Sequence, residues 1–374
     1  MQSLPISQID SYFVNGNYPI EMLFYFENPL GTAALRKALY QLSDTFWPLF
    51  GQYENGAISS RPYNEENHFH ETLYESTFDA AADTMPRWER YKDVNTAGID
   101  SLFFLQVLQF KNGTALVPKM NHLVGDGYSY FYFLAVLAAM TQNSFIPLKK
   151  FVVRHLARPS LNRTAVKLFH FQKQKIREAK VYEKCSIVNE TVAKPPILAT
   201  LERLNEADDV NVSVNDYLSA LVFQKTYQIQ KSKISDHFTL SIPMDVRRYV
   251  PQLGPKFFGN ALQFHRLAMK TVALDSMETG DLALEIRKSV PRVDSAAYAR
   301  YLTDLEVEIE KHEEHALLPY EPETGCLVTN LTRMPLQKLD FGGGAPTVSF
   351  PITIGKNSAA VFAQGDDFLL RLVY

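Results

Sequence analysis

Between Gly31 and Phe50, apolar residues recur at three- and four-residue steps: Ala34, Leu35, Ala38, Leu39, Leu42 and Phe46. That period predicts one amphipathic helix, ending at Pro48 and Gly51. A polar, turn-rich stretch follows. The run over residues 102–110 is apolar enough to be a strand buried on both faces. Asn112-Gly113 predicts a tight turn into a second strand, residues 114–120. This strand leads into Asn121-His122-Leu123-Val124-Gly125-Asp126-Gly127, and an apolar segment, residues 128–140, comes directly after it. That segment is too short to cross a bilayer and reads as a buried helix.

In the second half, Ser213 is a good N-cap for a helix running through Ala220 to Tyr227. Strands are predicted at 238–243 and 261–267, separated by a loop at 251–258. Two charged helices follow at 282–290 and 295–314. The end of the chain is β-rich, with strands at 326–330, 347–354, 359–362 and 368–373. Strands mixed with helices in each half predict an α/β protein with two sheets. At 374 residues the chain exceeds the size at which one hydrophobic core keeps growing, so two packed domains are expected.

Composition narrows the function classes. With 46% hydrophobic and 21% charged residues, the chain is an ordinary globular protein. A net charge of -3 gives no reason to expect nucleic acid as a partner. Cys185 and Cys326 share no motif with each other or with a histidine cluster, so neither a disulfide framework nor a metal site is expected. Residues 1–13 lack the basic patch and apolar run of a secretory signal, which predicts a cytoplasmic location. Residues 149–180 are rich in basic side chains with a single acid, Glu178, and are read as the connection between halves, helical from near Ser160. This segment is either a solvated helical face or a patch that meets an anionic partner.

His122 stands where a strand ends and a helix begins, with Gly125 and Gly127 flanking Asp126. Such glycines permit a shaped turn. A histidine there can offer one ring nitrogen to a cavity while the other is fixed by an acceptor, which suits a general base. It can equally be a core histidine with both nitrogens satisfied, and Asp126 can be a turn residue or a helix cap. Other signals carry less. Gly342 to Gly344 precede a strand and not a helix, which excludes a phosphate loop. His312-Glu313-Glu314-His315 lacks the zinc spacing and is read as a solvated helical face, and no serine lies in GxSxG.

Several ordered segments together resemble the BAHD acyltransferases, a family marked by HxxxDG and a later DFGWG. Residues 6–10 and Trp47-Pro48-Leu49-Phe50-Gly51 resemble its opening segment and turn. Leu105-Gln106-Val107 through Gly127 match the strand, turn, strand and HxxxDG block. Residues 213–220, then Asp245-Val246-Arg247-Arg248 leading to Phe258-Gly259-Asn260, resemble its central motifs. Asp340-Phe341-Gly342-Gly343-Gly344 stands where DFGWG is expected.

The resemblance implies two domains of the chloramphenicol-acetyltransferase type, each a mixed β-sheet with flanking helices, and a solvent channel at their interface. The implied division is 1–158 for the domain with HxxxDG, 159–195 for a helical crossover, and 196–374 for the domain with DFGGG. It further implies acyl-CoA as co-substrate with no permanently bound cofactor, and an alcohol or, less often, an amine as acceptor. His122 would be the base. Asp126 would point away from the reaction and pair with Arg247 to hold the turn. Thr329 is the candidate donor to the oxyanion, with a backbone N–H as the alternative. Gly127, Arg247, Asn260, Asp340, Phe341 and Gly342 would be motif or channel positions. A monomer is expected.

Gly343 departs from the family, replacing the tryptophan, and the chain is shorter than plant members. Two alternatives share the implied fold: a condensation-type enzyme using carrier-bound acyl groups, where Asn121 replaces the first of two histidines, and a non-catalytic binding protein.

Overall fold

The computed structural model describes residues 2–13, 19–54, 57–79, 94, 101–142, 186–207, 210–234, 236–254, 257–311, 317–352 and 355–374. The basic stretch 149–180, Cys185 and the run 312–315 lie outside them.

Two mixed sheets carry the structure. The five-stranded sheet has the order β12 (Val348–Pro351), β2 (Ile20–Phe26), β7 (Gly113–Met120), β6 (Phe103–Phe110) and β5 (Phe69–Leu73), antiparallel except where β5 joins β6. The six-stranded sheet has the order β10 (Leu262–Lys270), β9 (His237–Asp245), β11 (Gly325–Asn330), β13 (Ser358–Gln364), β14 (Asp367–Val373) and β8 (Ile187–Ala193), with β11 parallel to both neighbours. A small antiparallel sheet joins β1 (Ser3–Pro5), β4 (Ala57–Ser59) and β3 (Gln52–Glu54).

The eight α-helices among the described residues are α1 (Thr32–Ser43), α2 (Trp47–Phe50), α3 (Gly127–Thr141), α4 (Lys194–Ala207), α5 (Val214–Gln230), α6 (Thr271–Ser276), α7 (Thr279–Ser289) and α8 (Ser295–Lys311). None of the described helices is long and apolar enough to cross a membrane.

Alternation along β6 and β7 decides what each face of the first sheet covers. Phe103, Leu105, Val107, Leu116 and Met120 join a large core with α1 and α3, whereas Leu108, Ala115 and Val117 form a smaller one with Leu23, Tyr25 and Phe350 on the opposite face. Burial of both faces explains why β6 reads as a nearly continuous apolar run. The large core also takes Val246, Phe258 and Phe264 from beyond β9 and Tyr298, Leu302 and Leu305 from α8, so apolar packing ties the two halves together. A separate core lies between the six-stranded sheet and α4, α5 and α7.

The structure differs from the periodicity in several places. The single helix predicted over 31–50 is two, because α1 stops at Ser43 and a turn at Asp44 to Phe46 lets Pro48 enter the first turn of α2. There its missing N–H would have had no helical partner anyway. The stretch read as polar and turn-rich holds β3, β4 and β5, and β2 was not anticipated. β8 falls within 159–195 and completes the edge of the six-stranded sheet.

Candidate active site

β7 ends at Met120, and the Asn121 amide pins the turn that follows. Its oxygen accepts the Leu123 N–H at 2.8 Å and its nitrogen donates to the Val94 carbonyl at 2.7 Å. Asp126 then caps α3, accepting the Ser129 N–H at 3.0 Å. This helix is apolar around its whole circumference and mostly buried, and the Tyr130 hydroxyl fastens it to β7 by donating to the Pro118 carbonyl at 2.9 Å. His122 is held between a strand end and a helix start, both anchored in the core.

Asp126 does more than cap. Both Arg247 terminal nitrogens donate to it, at 2.8 and 2.9 Å, and the Ala261 N–H donates at 2.9 Å. Aspartate and arginine are 1% and 4% exposed. The guanidinium also donates to Asp245 at 3.0 Å, to the Gly259 carbonyl at 2.9 Å and to the Phe257 carbonyl at 3.2 Å, and it lies 4.5 Å from the Tyr128 ring centroid. Burial alone would raise the Asp126 pKa, but the Arg247 charge and these hydrogen bonds outweigh it and hold the carboxyl below its ordinary value. The Ser129 hydroxyl donates to the Gly259 carbonyl and accepts the Gly259 N–H, both at 3.0 Å, closing the brace.

His122 as a residue is half-buried. One ring face stacks on Phe13, with centroids 3.7 Å apart and planes 12° from parallel. Nδ1 lies 3.1 Å from Asn260 Oδ1, while Asn260 Nδ2 is 2.8 Å from both the His122 carbonyl and Asp10 Oδ1. Those two acceptors require the amide nitrogen to face them. The amide oxygen must therefore face the imidazole, and Nδ1 must carry the proton. Nε2 is left with its lone pair. Burial pushes the His122 pKa down, against the opposing pull of Asp126, the two hydrogen bonds and Asp10, so the ring is neutral at physiological pH. The arrangement can accept a proton at Nε2 from a bound molecule.

The other residues singled out from sequence lie elsewhere. Thr329 is on β11, where Leu327 packs against the large core and Cys326 and Val328 against the separate one; alternation puts Thr329 on Leu327's face. Asp340 Oδ1 accepts the N–H groups of Gly342 and Gly344 at 2.8 and 2.9 Å, its carbonyl accepts from Gln142 at the end of α3, and Phe341 meets the Phe26 ring edge-on. Gly342, at φ 100°, makes that tight turn possible. Gly127 opens α3, and a side chain there would meet open space. Neither Thr329 nor residues 340–342 hydrogen-bond to His122 among the described residues. At Gly343 a Cβ would come 2.8 Å from the Leu30 side chain, so Leu30 and Asn28 fill the place of a larger residue.

Sequence reasoning missed Asp10 as a site residue, and also Phe13 and Ser129. Asp10 is a lone acid inside the otherwise apolar or neutral run 4–13, and Asp126-x-x-Ser129 has capping spacing; both were available signals.

No curated protein sequence matches the chain. Among solved structures it is similar to TRI101 of F. graminearum complexed with coenzyme A and deoxynivalenol, at 13% identity and a TM-score of 0.77, over 100% of this chain and 95% of that one. It is similar to vinorine synthase at 18% identity and a TM-score of 0.75, over 100% and 90%. The first condensation domain of the CDA synthetase has the same general fold, at 13% identity and a TM-score of 0.57, over 99% and 89%. The chain has the two-domain α/β architecture of the chloramphenicol-acetyltransferase type, with a mixed sheet and flanking helices in each domain. The Transferase family profile matches residues 68–367. That match spans most of the sequence, and the chain belongs to the Transferase family, the BAHD acyltransferases, which use acyl-CoA as co-substrate.

Proposed function

We propose that this chain moves an acyl group from acyl-CoA to a hydroxyl of a small-molecule acceptor, with His122 Nε2 as the general base. The observation that carries the reading is the Asn260 amide held against Nδ1, which leaves Nε2 with its lone pair.

In this mechanism Nε2 takes the hydroxyl proton as the oxygen bonds to the thioester carbonyl carbon. The carbonyl electrons move to its oxygen, and Thr329 is the candidate donor to that oxyanion. When the oxyanion collapses, the carbon–sulfur bond breaks and the CoA thiolate takes the proton back from His122. An amine acceptor would follow the same path, losing its proton to the same nitrogen. Asp126 and Arg247 take no part in bond making; they keep the turn in shape.

Replacing His122 with alanine should lower kcat by roughly 100- to 10,000-fold while leaving the fold intact. The assay is release of CoA thiol from a panel of acyl-CoAs against mixed alcohols and amines, with product masses read directly. Wild-type turnover in the His122→Ala protein would remove the base assignment.

A further inference from the structure

Asp10 is fully buried, and its two oxygens serve different parts of the chain. Oδ2 accepts the Ser7 N–H at 2.6 Å and the Ser7 hydroxyl at 2.9 Å, which closes the local turn. Oδ1 accepts from Asn260 Nδ2 at 2.8 Å. A cap needs only the first set. The second reaches the amide that contacts the imidazole, and a turn alone does not account for it.

We propose that Asp10 is a positioning residue which, through the Asn260 amide, keeps His122 in its Nδ1–H tautomer with Nε2 free to accept a proton. The inference rests on the reading of His122 as the base.

The argument is one of hydrogen-bond polarity. An ionised carboxylate only accepts, so Asn260 must turn its NH2 toward Asp10 and its oxygen toward Nδ1. A primary amide is nearly symmetric in shape and can rotate by half a turn at little steric expense. In the rotated state its NH2 would face Nδ1, forcing the proton onto Nε2 and removing the base. The His122 carbonyl, 2.8 Å from Nδ2, opposes that rotation too, but it belongs to the residue being oriented. Asp10 is the acceptor fixed independently, by Ser7. The same short 3-10 helix, Ile9–Phe13, carries Phe13 onto the imidazole face, so one turn sets both the ring's plane and its tautomer. The Asp10 charge also favours the imidazolium that forms during proton transfer, in line with its upward pull on the His122 pKa.

Asp10→Asn is the informative change, since it preserves shape while adding a donor. Its oxygen can satisfy either Ser7 or Asn260, not both. If it turns to Ser7, its NH2 faces Asn260 and the polarity of the whole relay reverses. In the serine-protease triad, the corresponding change in a carboxylate bonded directly to histidine lowers kcat by about 10,000-fold. One amide further away and with a second anchor, a fall of roughly 10- to 100-fold is expected, with the KM for acyl-CoA within about twofold and the acid limb of the kcat profile moved to lower pH.

The double variant Asp10→Asn/Asn260→Ala should be no slower than Asn260→Ala alone, because both changes act on one path. Nitrogen-detected NMR of the wild-type imidazole should show the proton on Nδ1. Wild-type kcat and an unmoved acid limb in Asp10→Asn would overturn the proposal. So would multiplying effects in the double variant, or a proton on Nε2 in the wild type, which also tests the idea if Asp10→Asn does not fold. Failure of the base reading looks different: His122→Ala would then keep its turnover whatever Asp10 does.

Discussion

Asp126→Ala tests the brace behind the candidate base. The change removes four hydrogen bonds at once and leaves the Arg247 guanidinium buried with its main counter-charge gone. Removing one partner of a buried pair costs about 3 to 5 kcal/mol, and losing a helix cap about 1 kcal/mol. Asp245, still 3.0 Å from the guanidinium and open to solvent, offsets part of this, as do the Gly259 and Phe257 carbonyls. A net loss near 4 kcal/mol follows, which at roughly 2 to 4 °C per kcal/mol lowers the melting temperature by about 8 to 16 °C.

Circular dichroism melts at pH 7 would measure the shift. The double variant Asp126→Ala/Arg247→Met should melt above Asp126→Ala, because it removes the orphaned charge. The Asp126 carboxyl titrates below its ordinary 3.8 in the folded protein, so its contribution is fully present above that pH and fades only as pH falls further. Melting within about 2 °C of wild type, or an additive double variant, would refute this account of Asp126.

Two further outcomes follow from the same geometry. The His122 pKa is depressed below 6.5 by burial, so the acid limb of kcat/KM should lie below pH 6.5; a limb above it in a pH-rate series would contradict the burial argument. The sign for stability agrees: below pH 6.5 the unfolded chain binds a proton that the folded one refuses, so His122 destabilises the fold as pH falls toward its folded pKa. Gly343→Ala should cost less than about 1 kcal/mol, because its Cβ meets only the end of the Leu30 side chain, which can turn aside; a urea midpoint showing a larger loss would contradict this.

The elements legible in the sequence were those whose period was set by burial on a known side. β6, β7 and α3 read correctly because both faces of the strands and most of the helix surface are covered, leaving long apolar runs. β5 was not legible: Phe69 alone faces the large core, while His70, Glu71 and Thr72 make an edge strand look like a loop. β8 reads as polar for a similar reason, being the last strand of its sheet. The strand at β12 was predicted, but no local pattern says that it pairs with β2 at the other end of the chain. At the candidate site, His122, Asp126, Arg247 and Asn260 could be picked out by motif; Asp10 lay within a matched segment, but only tertiary folding shows that it and Phe13 reach the imidazole.

His122 belongs to the first half of the chain, yet part of what conditions it comes from the second. Asn260 sets the tautomer, Ala261 and Arg247 hold the Asp126 turn, and Gly259 closes on Ser129. All four lie on the segment joining β9 to β10, which also delivers Val246, Phe258 and Ala261 to the core shared with α1 and α3. Hydrophobic docking of that segment brings the polar groups into register, and the polar groups then fix what the docking leaves loose: which nitrogen of one imidazole carries the proton. Without that segment His122 would have no Asn260 oxygen to choose between tautomers, and Asp126 no guanidinium to hold it ionised in the core. The proposed chemistry is therefore a property of the assembled pair of domains, although the motif that advertises it is seven residues long.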